Sequence, residues 1–562
     1  MTPEPAIPPY EFARIESSLE VRGDNSSLVE LAWLHHSWAA PDVFWLALKM
    51  YWERVSGGTG KSHPQGKFDF HQDILVRQQH NPFPAFVGYD PVRGWNKLGY
   101  ADLTESVERL SAAWQAAGVQ SGDVVAIVYP LSTFWLIALL AALQLGMVVS
   151  ILPPLGRAFV CRRLHALKAR WLAADRFYVR ALPGDWLNQV LPDSGDNNRL
   201  ARGYNYAFGE TAALLFDPVS ATPDIPRPVP AESLYRGAMR DGVLALGLKM
   251  GQSCAAPGWH TQETQPSLML SVLMSGSTYV HLELADIETH TAHLEEQPID
   301  TLLISRKLRD ILQKKPLSGI KSCTRWFRHP GESMDMVVWN DFMERQSLQN
   351  ILTGNMVWNA ALGGCILFSV RFKVPHTEVL PAPASTWVLG DLRLPLQPTQ
   401  TNTGYLVLSA TRNEDPPDWY ATTYLLARNR GVWTYLGAYP RGRSGRTYPR
   451  NEVLDVISEM LDYGMMVEAV GSIDNEDPPQ VLLVFAQDVP EYAVRDRIQL
   501  ELGNDFQPDR IEFLPYLPKL DGKGKPDALW CQTLFSIGEL YRRKNHPLFQ
   551  CLSELKKLIL IN

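Results

Sequence analysis

The 562-residue chain is too long for one small hydrophobic core and points to at least two domains. With 46% hydrophobic and 20% charged residues and no low-complexity tract, its composition is that of a soluble globular protein. A formal net charge of -7 argues against a broad nucleic-acid surface, which needs clustered Lys and Arg to displace counterions.

The opening MTPEPAIPPYEF has Pro and Glu where a signal peptide needs a basic start and an apolar run. Residues 1–40 read as a loose segment, and the aromatic stretch Val43 to Val55 reads as a helix. SGGTGKS at 56–62 imitates a phosphate loop, but G-x-x-x-x-G-K-[ST] requires glycine at 55, where this chain has Val55. The first strong unit begins near Leu98. Val107, Leu110, Trp114 and Ala117 share a helical face, with Thr104 as N-cap and Gly118 at the C-terminal end. Val124 to Tyr129 then reads as a buried parallel strand.

Leu131 to Pro153 is almost uncharged and about long enough to span a bilayer, but Gln144 and Gly146 divide it. A buried helix followed by a buried strand accounts for it better. Helix–strand alternation continues through 162–174, 268–282 and 301–313, which calls for an α/β fold with a largely parallel sheet. Near residue 437 the run GAYPRGRSGRTYPR, rich in Gly, Pro and Arg, marks a boundary and hinge over Gly437–Gly445. A compact unit follows: a helix over 452–461, strands over 467–471 and 481–486, and a helix over 491–502. The expected division is therefore 1–40 loose, 41–436 a large N-terminal domain, 437–540 a small C-terminal domain, and 541–562 a helical tail.

The six cysteines are scattered, with no C-x-x-C pair and no metal-ligand spacing, so no metal site is expected. Reduced thiols in a cytoplasmic protein fit this pattern.

In this order the segments resemble the adenylate-forming acyl-CoA synthetases (the AMP-binding ligase superfamily), most closely the acetyl- and acetoacetyl-CoA synthetase branch. The resemblance runs over roughly residues 40–535. It rests on the helix–strand unit at 98–152, on GWHTQETQPSLMLSVLMSGSTYVHLEL at 258–284, on TGNMVWNAALGG at 353–364 and on LPKLDGKGKPDAL at 517–529. It implies a two-domain fold, a large N-terminal domain with a small mobile C-terminal one. It also implies a family chemistry in which a carboxylic acid and ATP give an acyl-adenylate that passes to coenzyme A.

The residues aligned with the family's nucleotide contacts depart from its pattern. Against the loop S-G-T-T-G-x-P-K the chain has Ser220-Ala221-Thr222-Pro223-Asp224-Ile225-Pro226-Arg227. Ser220, Thr222 and the basic Arg227 are kept. Both glycines, whose backbone N–H groups would close on phosphate, are lost, and Pro223 has no N–H at all. Asp224 sets a negative charge against incoming phosphates; two unit charges at ~4 Å repel by about 4 kcal/mol at an effective dielectric of ~20. Asn355 and Met356 stand where the family has Thr and a magnesium-binding acid, and a thioether does not replace a carboxylate on Mg²⁺. Tyr424 stands for the aspartate that binds the ribose hydroxyls, and Ala438 for an arginine. The lysine motif persists with two registers open: Lys525, or Lys523, would be the catalytic lysine that reaches the acyl carboxylate and α-phosphate. A solvated lysine-rich turn accounts for it equally well. Glu452, opening a helix, reads as structural. Arginines 441, 443, 446 and 450 suit coenzyme A phosphates or a solvated loop.

These departures imply that binding of ATP and Mg is weak or lost and that coenzyme A remains a possible ligand. The partner is then a carboxylic acid or acyl thioester, with a carrier protein a further option, and neither nucleic acid nor a membrane span is expected. Three functions stay open. One is a protein that has given up efficient adenylation yet handles an acyl group or thioester in a biosynthetic pathway. The others are a working acid–CoA ligase with rebuilt nucleotide contacts and a non-catalytic regulatory pseudoenzyme.

Overall fold

The computed structural model describes residue 34 and residues 37–547, except 58–66, 196–197, 201, 221, 316, 318–322, 330–335, 349–350, 370–377, 386, 410–418, 430–431, 439–441, 444–445, 470–478 and 487. Most of the Gly-Gly-Thr-Gly-Lys-Ser run, Ala221, Arg441 and the tail beyond 547 therefore lie outside the described residues. The chain divides into two compact units. The first takes Met1–Pro153, Ala166–Val179 and Trp186–Tyr439; the second takes Pro154–His165, Arg180–Asp185 and Pro440–Asn562.

The first unit begins with helix α1 (Pro41–Val55) and the hairpin β1 (Pro84–Asp90) and β2 (Gly94–Gly99). Helix α2 (Tyr100–Ala116), β3 (Val124–Val128), α3 (Thr133–Gln144), β4 (Val148–Ile151) and α4 (Arg157–Leu167), whose first residues belong to the second unit, lead to β5 (Trp171–Ala174). A second hairpin pairs β6 (Thr211–Phe216) with β7 (Pro226–Pro230). Then come β8 (Ser253–Ala255), α5 (Ser267–Met274), β9 (Thr278–His281), β10 (Thr301–Ile304), α6 (Arg306–Lys314) and β11 (Arg325–Arg328). Strands β12 (Leu352–Asn359), β13 (Gly364–Phe368) and β14 (Leu380–Pro381) complete a nine-stranded sheet, ordered β14-β13-β12-β11-β10-β8-β9-β1-β2. Its six inner strands from β12 to β1 are parallel. A five-stranded sheet runs β5-β3-β4-β6-β7, parallel but for the β6–β7 hairpin. The antiparallel set β15 (Trp387–Gly390), β16 (Thr403–Ser409), β17 (Trp419–Asn429) and β18 (Val432–Ala438) forms a third sheet.

The apolar run 131–153 resolves into α3 and β4, and its helix is buried in the main core with α2, α5 and strands of both large sheets. No helix among the described residues is long and apolar enough to cross a membrane. One expectation is corrected. Thr104 does not cap its helix, which starts a turn earlier at Tyr100; its hydroxyl instead donates to the Tyr100 carbonyl at 2.8 Å. The extra turn buries Tyr100 and Leu103 in line with Val107, and that apolar stripe outweighs the local capping preference.

Within the second unit, α7 (Arg450–Ile457), β19 (Gly464–Glu468), β20 (Gln480–Phe485), α8 (Glu491–Glu501) and β21 (Arg510–Leu514) build a three-stranded sheet flanked by helices. Glu452 in the first turn of α7 is buried and accepts two hydrogen bonds from Arg163, at 3.1 and 3.2 Å, which fits its structural reading. Arg450 is held by Glu468 and by Gln480. The five described cysteines are free and buried.

Candidate functional site

The β6–β7 loop ends an apolar strand on Asp217-Pro218, and the loop is held by its own polar groups. The Asp217 carboxylate accepts the Val219 N–H at 3.0 Å, and the Asp217 carbonyl accepts the Ser220 N–H at 3.2 Å. The Ser220 hydroxyl accepts the Thr222 N–H at 3.1 Å, and the Thr222 carbonyl accepts the Ile225 N–H at 3.1 Å. This is the conformation that Asp and Ser side chains impose on turns. It leaves four N–H groups engaged inside the loop and none to offer at Pro223.

Asp217 is also the centre of a buried network. Its side chain is 5% exposed and takes hydrogen bonds from Asn359 Nδ2 at 3.0 Å and from the Tyr420 hydroxyl at 3.2 Å. Asn359, at the end of β12, donates also to the Tyr424 hydroxyl at 3.2 Å. Arg227, opposite Leu215 in the hairpin, lays its guanidinium 3.6 Å over the Tyr420 ring. Loss of water raises the Asp217 pKa, against the pull of the Val219, Asn359 and Tyr420 donors and of Arg227. The Tyr424 phenol is held well above its ordinary range, first by burial and then by Asp217 and Glu263. A row of rings continues from Tyr424 to Tyr435 (6.3 Å) and from Tyr435 to His329 (5.4 Å), where burial holds the imidazole down to about 4.

The structure thus brings Ser220, Thr222, Arg227 and Tyr424 to one network, through Asp217, Asn359 and Tyr420. It does not bring Asn355 and Met356 there. The Asn355 amide accepts from Arg328 Nε at 3.2 Å and donates to the Glu378 carbonyl at 2.9 Å. Met356 is fully buried in the main core beside Trp358 and Phe368, whereas its neighbour Val357 packs with Tyr424 and Val219 on the opposite face of β12. Sequence reasoning missed Asp217, Asn359 and Tyr420. The one signal available was an acid set directly after the apolar run Thr211–Phe216.

Lys523 and Lys525 lie in the second unit, on a turn between β21 and α9 (Ala528–Ser536). The Asp521 carboxylate accepts both their N–H groups, at 2.8 and 2.9 Å, and Gly524 takes the left-handed φ of +75° that closes the turn. Lys519 pairs with Asp527 at 3.3 Å, while both Lys523 and Lys525 are exposed with no ion pair among the described residues. No cluster of acids, histidines and cysteines able to hold a metal occurs among the described residues.

Residues 76–175 match the family model described as "AMP-binding enzyme", a stretch that includes α2 to β5 and none of the candidate contacts. No curated protein matches in sequence. Among solved structures, the chain is similar to an acetoacetyl-CoA synthetase from Streptomyces lividans, at 15% identity and TM-score 0.61 over 99% of this chain and 100% of that one. An amide bond synthetase from Marinactinospora thermotolerans aligns at 16% identity and TM-score 0.63, over 83% of this chain and 100% of that one. An artificially fused adenylation–PCP di-domain from Klebsiella oxytoca aligns at 15% and 0.64, over 80% and 94%. The chain therefore has the two-domain α/β fold of these solved structures, and residues 76–175 match the AMP-binding enzyme model.

Proposed function

We propose that this chain uses an acyl-CoA synthetase scaffold to handle an acyl group or its thioester without efficient ATP-dependent adenylation. One observation carries the reading: Tyr424 and Arg227, two of the residues aligned with nucleotide contacts, are already engaged by a buried network of the protein's own side chains. Tyr424 is tied to Asn359, Asn359 to Asp217, and Asp217 to Tyr420, over which Arg227 lies. A triphosphate would have to displace these contacts and approach the buried Asp217 and the loop acid Asp224. Each hydrogen bond to a charged group is worth about 1.5–3 kcal/mol, and each ~1.4 kcal/mol in a barrier is tenfold in rate. Coenzyme A or an acyl thioester is then the ligand, and a carrier-bound acyl group is a variant of the same chemistry. The 437–445 run would be the hinge of a mobile C-terminal domain, and the free cysteines suit a reducing, cytoplasmic setting.

A working ligase is the second reading, favoured by the 519–527 turn, which presents Lys523 and Lys525 on a rigid backbone. ATP–pyrophosphate exchange over a panel of short and β-keto acids separates the two. The first reading expects no exchange above background. Exchange that disappears in Lys525→Ala or Lys523→Ala overturns it in favour of the ligase.

A further inference from the structure

The loop joining β15 to β16 exposes three leucines in alternation: Leu392 at 50%, Leu394 at 55% and Leu396 at 61%. The loop is braced by its own hydrogen bonds. The Asp391 carboxylate accepts the N–H groups of Arg393 and Leu394, at 2.7 and 3.2 Å. The Asp391 N–H donates to the Gln397 carbonyl at 2.7 Å, and the Gln397 N–H to the Leu394 carbonyl at 2.8 Å. Thr399 N–H closes onto the Leu389 carbonyl at 2.8 Å, and Thr399 and Thr401 bond through their hydroxyls at 2.9 Å. Gly390 is required, since a Cβ there would run into the Pro395 carbonyl. The backbone is therefore fixed before anything binds, which lowers the ordering cost of binding.

Charge and area identify the occupant. The loop's one acid is turned onto its own backbone, and its one cation, the exposed Arg393, sits between Leu392 and Leu394 among neutral Pro, Gln and Thr residues. The three leucines present on the order of 300 Å² of apolar surface, below the roughly 600 Å² that each side of even a small specific protein–protein contact buries. A second copy or a flat protein surface would gain too little from so narrow a tip. A lipid bilayer needs no complementary shape: leucines enter the acyl boundary and an arginine meets lipid phosphate.

We propose that residues 391–398 form a preorganised wedge that docks the protein reversibly on a phospholipid bilayer surface. The site is independent of the 217–227 network and of the proposed function. The test is co-sedimentation of the full chain with phosphatidylcholine vesicles, alongside sedimentation velocity without lipid. The chain is expected to partition onto vesicles. Combined Leu392→Ser, Leu394→Ser and Leu396→Ser should lower the partition coefficient at least tenfold with an unchanged circular dichroism melt. Independently of how that variant folds, Leu394→Trp should raise partitioning severalfold, because tryptophan favours the interface. No vesicle binding by the native chain, no response to Leu394→Trp, or a leucine-dependent dimer in place of vesicle binding would each overturn the proposal.

Discussion

The 217–227 loop and the 519–527 turn are built by the same device and present opposite surfaces. In each, an aspartate side chain accepts backbone N–H groups, Val219 for Asp217 and both Lys523 and Lys525 for Asp521. Asp217 is buried and gathers Asn359 and Tyr420 around itself, while Thr222 and Asp224 further along the loop are exposed. Asp521 is exposed, and the turn it shapes displays its lysines. Burial makes the difference. A carboxylate without water must be satisfied by fixed donors, which removes those donors from any ligand, whereas an exposed one organises the backbone and leaves neighbouring cations available.

The strongest way to break this comparison is Asn359→Leu, which deprives the buried Asp217 of a donor and Tyr424 of a partner. A loss of about 3 kcal/mol is expected, read as a lower urea midpoint of the first unit. A change below ~1 kcal/mol would mean that the network does not hold the loop. Tyr420→Phe removes a less buried donor and should cost about 1–2 kcal/mol, together with the seat of Arg227.

Asp217 also gives the comparison a pH dependence. Its folded pKa is raised, so the native state holds a proton that the unfolded chain has already released. Stability therefore falls as pH rises from the ordinary carboxylate pKa through the raised folded one. Urea midpoints followed across that interval should slope downward for the native chain and less so for Asp217→Asn; equal slopes would contradict the assignment. The exposed turn gives the smallest effects. Asp521→Ala should cost about 1 kcal/mol at most by loosening the turn, and Lys525→Ala should leave the denaturation midpoint unchanged within ~0.5 kcal/mol.

The elements of the scaffold were legible because their signals are local. Buried runs such as 124–128, the break at Gln144 and Gly146, and the helix–strand order of the second unit each fall within a few residues of sequence. The site was legible only in part, because its partners are remote. Asp217 meets Asn359 across 142 residues and Tyr420 across 203, and no spacing rule links them. Thr104 shows the limit at short range, where an apolar stripe overrode a good cap. Met356 shows it within a strand. Alternation assigns neighbouring residues to opposite faces, but a register shift between Val357 and Trp358 interrupts the pairing with β13, and which face meets Tyr424 depends on that packing.

Whether the Asp217 network keeps Tyr424 and Arg227 from a nucleotide is read out by calorimetric titration of ATP–Mg²⁺ into the full chain, with coenzyme A titrated separately. The native protein should give no saturable heat with ATP–Mg²⁺, and combined Asp217→Asn and Asp224→Gly, which lift the two acids from the loop, should give a measurable gain in affinity. Tight, stoichiometric binding of ATP–Mg²⁺ by the native protein, unaffected by those substitutions, would show that the network does not exclude the nucleotide.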